Sequence, residues 1–105
     1  MRARIFIAEP DADVRELLEL TVRRLGYDVV GDGCEADAVL LEPASSAGRS
    51  LVRRLSEAIP VVCLSIYPRE EGLEPAASVA YLTKPSSSAE ISAALRGAVA
   101  IQPAH

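Results

Sequence analysis

Short apolar runs alternate along the chain with longer stretches in which apolar residues recur at helical spacing. Such runs, too short for helices, are typical of buried strands, and they occupy residues 4–8, 27–30, 38–41, 61–66 and 79–83. Helical spacing follows the first run, recurs up to Ile59 and returns from about residue 88. Strands that alternate with helices predict an α/β fold, with a parallel sheet covered on both faces.

Polar residues mark where the predicted helices begin and end. Asp11 or Asp13 can cap the first helix, and Gly26 stands where a helix commonly stops. Ser87 and Glu90 have the spacing of a capping box at the start of the last helix.

Two connections depart from a regular alternation. Only residues 31–37 separate the second and third strands, and a full crossover helix needs more chain than that. We expect either a helix of about one turn or an extended link. The segment 69–78 is polar and contains Gly72 and Pro75, so any helix there is predicted to be short.

Charged residues follow three of the predicted strands. Glu9 ends the first run, Glu42 the third, and Lys84 the fifth. Parallel sheets present their functional side chains at the carboxyl ends of the strands. The sequence therefore predicts a crevice that holds two carboxylates and one ammonium.

Composition narrows the classes of protein that this chain can represent. A length of 105 residues with 50% hydrophobic residues is enough for one domain with one core. The net charge of −4 argues against general nucleic-acid binding. No apolar run is long enough to span a bilayer, and the start of the chain lacks the layout of a signal peptide. The single histidine, His105, rules out a histidine-based metal cluster or catalytic triad. We expect a cytoplasmic protein.

Four segments together resemble the receiver domains of response regulators in two-component signalling. They are Arg4–Leu18, Ala38–Glu42, Pro60–Ser65 and Tyr81–Pro85. The resemblance implies a flavodoxin-like fold with five parallel strands in the order 2-1-3-4-5. It covers nearly the whole chain, so we expect a single domain over residues 1–102, followed by a short tail, 103–105.

The same resemblance assigns roles to individual positions. Glu42 stands where the family has its phosphoacceptor aspartate, and Glu9 and Pro10 stand where it has its metal-binding acidic pair. The remaining family positions are the switch hydroxyl Ser65, the switch aromatic Tyr81, the phosphate-contacting Lys84, and Pro85, before which the family usually has a cis peptide bond.

Two of these positions depart from the family pattern. Glu42 is one methylene longer than aspartate, a displacement of about 1.5 Å that can slow a reaction roughly a hundredfold. Pro10 has no side-chain oxygen for Mg²⁺, which leaves Glu9 alone unless Asp11 moves in. The sequence therefore predicts a degenerate receiver without catalysis, metal or other cofactor, in which Glu42 pairs with Lys84 and fixes the crevice in one state.

Other interpretations remain open at this point. Phosphate could still be accepted at Asp11 or Glu42 in a weak, Mg²⁺-dependent reaction, or the crevice could bind a small ligand. A simpler interpretation gives these residues no role in signalling. Glu42 could be a solvated carboxylate and Tyr81 a packing aromatic, and the acidic residues near Glu9 could only stabilise the N-terminus of a helix.

The expected partners are proteins rather than nucleic acid or membrane. The resemblance implies a contact face over residues 69–99, through which a homodimer is also possible. Only Gln102 to His105 follow the last helix in this sequence, so we expect the output to be supplied by another chain.

Overall fold

Five strands, two α-helices and one 3₁₀ turn make up the described part of the computed structural model, which covers residues 2–42, 59–65, 78–84 and 86–100. The strands are β1 (Arg4–Ala8), β2 (Asp28–Val30), β3 (Ala38–Leu41), β4 (Val61–Ser65) and β5 (Ser78–Thr83). The helices are α1 (Ala12–Arg24) and α2 (Ser88–Ala100), and the 3₁₀ turn is Gly33–Glu35.

The five strands form one sheet in the order β2-β1-β3-β4-β5, and all of the pairings are parallel. The predicted fold class and strand order are confirmed. Two predicted boundaries were wrong. Strand β5 begins at Ser78 and not at residue 79, and β2 begins at Asp28, which pairs with Arg4, and not at Tyr27. The Tyr27 amide instead donates to the Val22 carbonyl at 3.3 Å, which ties Tyr27 to the end of α1.

The connection between β2 and β3 is reduced to the single turn Gly33–Glu35. Of the two routes that the sequence left open, the structure has the shortened helix. The link also reaches β1, because the Asp37 amide donates to the Arg4 carbonyl at 2.7 Å. This bond holds the start of β3 against β1 without the packing face of a full helix.

Side-chain capping fixes the start of α1. The carboxylate of Asp11 accepts from the amides of Asp13 (3.0 Å) and Val14 (3.2 Å), so the cap is Asp11 and the alternative cap Asp13 was wrong. The helix ends before Gly26, whose φ of 98° lies in the left-handed region that favours glycine.

A reciprocal capping box begins α2, as predicted. The Glu90 amide donates to the Ser87 hydroxyl at 3.1 Å, and the Ser87 amide donates to the Glu90 carboxylate at 3.1 Å. Each side chain therefore satisfies an amide that the first turn of a helix leaves without a partner.

The sheet separates two apolar clusters. On one face, alternate strand residues such as Ile5 and Leu40 pack with the buried sides of α1 and α2. On the other face, Val39, Leu41, Val61 and Cys63 form a second cluster, with Cys63 fully buried as predicted. Because β3 and β4 are buried on both faces, their residues are apolar without alternation, as is usual for central parallel strands.

Some predictions lie outside the described residues. These are most of the helix that ends near Ile59, any short helix within residues 69–77, and Pro85 with its peptide bond. Where helices are described, none has both the length and the apolar character needed to cross a membrane.

Candidate functional site

Glu9 and Glu42 lie side by side at the carboxyl edge of the sheet. Ala8 and Leu41 are register partners at the end of the β1–β3 pairing, and each is followed directly by one of the glutamates. The Glu42 amide donates to the Ala8 carbonyl at 3.0 Å. This bond continues the ladder by one residue, so the sheet itself determines where Glu42 stands.

Lys84 is positioned in the same way by the neighbouring pair of strands. Ser65 and Thr83 are register partners at the end of the β4–β5 pairing, and the Lys84 amide donates to the Ser65 carbonyl at 2.8 Å. Three side chains from three strands are thereby brought to one edge, as the sequence predicted.

The ammonium of Lys84 contacts both carboxylates, and we call Glu9, Glu42 and Lys84 the carboxylate–lysine cluster. The Nζ atom of Lys84 donates to Oε1 of Glu9 and lies 3.2 Å from Oε2 of Glu42. The side chains are largely removed from solvent: the exposed fractions are 4% for Glu9, 9% for Glu42 and 17% for Lys84. The expected Glu42–Lys84 pair is present, and Glu9 shares the same ammonium.

Burial and charge act in opposite directions on Lys84. Burial lowers the pKa of Lys84, but hydrogen bonds from the ammonium to Glu9 and Glu42, together with their negative charges, outweigh it. The pKa therefore lies above the ordinary value for lysine. Lys84 keeps its proton at neutral pH and supplies the positive charge that two adjacent buried carboxylates require.

Pro10, Asp11 and Lys84 limit the oxygen ligands that this edge offers to Mg²⁺. Mg²⁺ needs near-octahedral oxygen ligands, and Pro10 contributes no side-chain oxygen. Asp11 is exposed and caps α1, while Lys84 already contacts both glutamates. Within the described ranges, no three or more His, Cys, Asp and Glu side chains are grouped so that they could hold a metal ion.

Ser65 and Tyr81 have different surroundings. Ser65 is fully buried at the end of β4, next in the sheet to the strand that carries Lys84. Tyr81 is half-buried and packs against the second apolar cluster, opposite Cys63 in the register. The switch roles of both residues stay predictions.

The contact between Lys84 and Glu9 was missed at the sequence level. Two signals in the sequence could have revealed it. The predicted strand order places β1 beside β3, so that Glu9 and Glu42 must be neighbours. Lys84 is also the only lysine among the 105 residues, so it is the only ammonium side chain available to either carboxylate.

Comparisons with known proteins give structural likeness rather than sequence matches. No protein-family model matches the sequence, and no curated protein matches it significantly. A sensor protein from Polaromonas sp. JS666 superposes with a TM-score of 0.80 and 25% identity, over 95% of this chain and 98% of that one.

Two further solved structures extend the likeness. The receiver domain of a sensor histidine kinase from Pseudomonas aeruginosa PAO1, with a magnesium ion coordinated in its active-site cleft, gives a TM-score of 0.74 and 21% identity over 95% and 99% of the two chains. A response regulator receiver protein from Burkholderia phymatum gives 0.75 and 21% over 99% and 100%. With the strand order and register, these superpositions show that the chain has the fold of response-regulator receiver domains.

Proposed function

We propose that this domain is a receiver of two-component signalling that acts as a phosphorylation-independent protein-interaction module. The observation that carries the proposal is the carboxylate–lysine cluster, in which one ammonium contacts both glutamates that follow β1 and β3. A receiver that responds to phosphate must rearrange this edge of the sheet. Here an internal cation already stabilises one arrangement.

The chemistry of the acceptor position supports this proposal. Transfer of a phosphoryl group to a carboxylate depends on positioning and on metal ions that neutralise developing charge. Glu42 is longer than the aspartate of the family, its exposed fraction is 9%, and its carboxylate contacts Lys84. An incoming phosphoryl donor would have to break that contact and would find no acidic side chain at Pro10.

The geometry of Asp11 supports the proposal from another direction. The Asp13 and Val14 amides both donate to Oδ1 of Asp11, so moving this side chain toward Glu9 to replace the missing acid would break both bonds. Losing an N-cap of this type costs about 1 kcal/mol of helix stability. Asp11 is therefore a poor substitute for the carboxylate that Pro10 lacks.

The proposed output is a fixed surface offered to a protein partner. Strand β5 and helix α2 contribute the described part of the face predicted over residues 69–99. Strand β5 contributes to this face, and its carboxyl end also places Lys84 against the two glutamates. The cluster would hold that end of β5 in one position, so that binding depends on the presence of the partner and not on a kinase. The proposal assigns no enzymatic activity to the domain.

Nuclear magnetic resonance can test whether the crevice responds to a phosphate analogue. Lys84 is the only lysine, so its side-chain ammonium gives an unambiguous signal. We expect this signal and the Ser65 and Lys84 amides to stay unchanged when beryllofluoride and Mg²⁺ are added. The matched variant Pro10→Asp/Glu42→Asp restores both acidic positions, and we expect it to show saturable shifts.

Saturable shifts in the wild-type protein would contradict the proposal and favour the weak Mg²⁺-dependent phosphoacceptor. Mass spectrometry after incubation with acetyl phosphate would then identify the modified carboxylate. Shifts caused by nucleotides or flavins, but not by beryllofluoride, would instead favour the small-ligand interpretation.

A further inference from the structure

Helix α1 carries a second apolar stripe that faces away from the core. Leu18 and Val22 are buried against the sheet, whereas Leu17 is 63% exposed and Leu20 is 44% exposed. Among the described residues, no other large hydrophobic side chain is exposed to this extent. Leucines three residues apart on the outer face of a helix have the spacing of one layer pair in a seam between helices.

Charged residues lie at the two ends of this stripe, with opposite signs. Asp13 and Glu16 lie toward the N-terminus of α1, and Arg23 and Arg24 lie in its last turn. All four are exposed, and none of them makes an ion pair within the described ranges. One end of the stripe is therefore negative and the other positive, with the two leucines between them.

The spacing of these residues matches a short coiled-coil seam. Asp13, Leu17, Leu20 and Arg24 follow one another at intervals of four, three and four residues, which places them on one line along the helix. Glu16 and Arg23 lie two turns apart on one flank of that line. The helix of 13 residues is about 20 Å long at 1.5 Å per residue, so the seam occupies most of its length.

We propose that α1 pairs antiparallel with α1 of a second copy of this chain, around a two-fold axis between Leu17 and Leu20. In this arrangement Leu17 of each copy packs against Leu20 of the other. Asp13 comes beside Arg24 of the second copy, and Glu16 comes beside Arg23 of the second copy. A two-fold interface requires a self-complementary surface, and a stripe with opposite charges at its ends meets that requirement.

The order of the charges along α1 favours an antiparallel second copy over other partners. A parallel pairing would set Asp13 against Asp13 and Arg24 against Arg24 along the seam, and like charges across an interface are unfavourable. A partner of uniform charge would be attracted by one end of the stripe and repelled by the other. The antiparallel second copy matches both ends together.

The pairing is expected to be weak. Each copy contributes two leucines, which is far less apolar surface than a standard interface buries. We expect a dissociation constant on the order of 0.1 mM, which is in the range of transient associations. This surface lies on α1 and is separate from the face over residues 69–99, so the inference does not depend on the proposed function.

Sedimentation velocity over a range of concentrations tests the inference. The wild-type protein should shift from monomer to dimer as its concentration rises. Leu17→Glu should abolish the shift, because it places a charge in the centre of the seam. Arg15→Glu is the matched control: it changes an exposed residue on another side of α1 and should leave the dimer intact. Circular dichroism establishes that each variant is folded.

A charge exchange separates this interface from any other. Glu16→Arg and Arg23→Glu should each weaken the dimer at least tenfold when studied alone. A mixture of the two variants should recover association, because each copy then offers the charge that the other lacks. The double variant Glu16→Arg/Arg23→Glu should also recover it.

Three results would overturn the inference. The wild-type protein could remain monomeric at all concentrations. A dimer that persists in folded Leu17→Glu would place the interface elsewhere, such as on the face over residues 69–99. Failure of the mixed variants to associate, while each is folded, would show that the two flanks do not meet.

Discussion

The two ends of the sheet contain the same kinds of charged group in different surroundings. At the carboxyl end, Lys84 contacts two glutamates whose side chains are no more than 9% exposed. At the amino end, Arg2 lies 3.7 Å from Asp28, and these side chains are 67% and 56% exposed. Water screens the pair at the amino end, so it contributes little to stability. The cluster at the carboxyl end is poorly screened, so removing its single ammonium leaves two buried carboxylates without a countercharge.

Removing the ammonium is expected to have the largest effect. In Lys84→Met, Glu9 and Glu42 lose the cation that both contact, and we expect the free energy of unfolding to fall by about 3 kcal/mol. Arg2→Met makes a similar change at the exposed end and should cost no more than about 0.5 kcal/mol. Urea unfolding of both variants measures the difference, and equal losses would contradict the comparison.

Neutralising the same ammonium by pH should have a smaller effect, because the uncharged amine can still form hydrogen bonds. The pKa of Lys84 is raised in the folded protein, so its contribution to stability is fully present below the unfolded value of about 10.4. The contribution is lost as the pH rises through the folded pKa, since the folded state then releases its extra proton.

The matched control for this pH dependence is Lys84→Met. Since no other lysine is present, the difference in urea midpoint between wild type and this variant isolates Lys84 from the tyrosines, which titrate in both proteins. We expect the difference to be constant near neutral pH and to shrink above about pH 10.5. A difference that stays constant in alkali would contradict the raised pKa.

Replacing a single carboxylate by an amide should have the smallest effect of the three. Glu9→Gln keeps the size of the side chain, and Glu42 still balances the charge of Lys84. The neutral amide accepts a weaker hydrogen bond from the ammonium than the carboxylate does, so we expect a loss of about 1.5 kcal/mol. Asp28→Asn is the same chemical change at the exposed end, where we expect at most about 0.5 kcal/mol. Chemical denaturation compares them, and a larger loss in Asp28→Asn would reverse the conclusion about screening.

The sequence could predict the carboxylate–lysine cluster only in part. Glu42 and Lys84 each follow an apolar run, and strand order alone brings those runs to one edge. Whether Lys84 also contacts Glu9 depends on the conformations that these long side chains adopt when they pack together. Strand order does not specify those conformations. The choice of Asp11 over Asp13 as the cap of α1 had the same origin, because both residues have suitable chemistry and the backbone path selects one.

The sequence by itself determined the alternation of strands and helices, and with it the parallel sheet, because apolar periodicity and capping residues act locally. It also placed an acid after β1 and β3 and a base after β5. Only the tertiary structure decided that one ammonium contacts both acids out of reach of most solvent, and that Leu17 and Leu20 lie outside the core. Both outcomes depend on how separate segments pack together, since burial is a property of the assembled fold and not of any one segment.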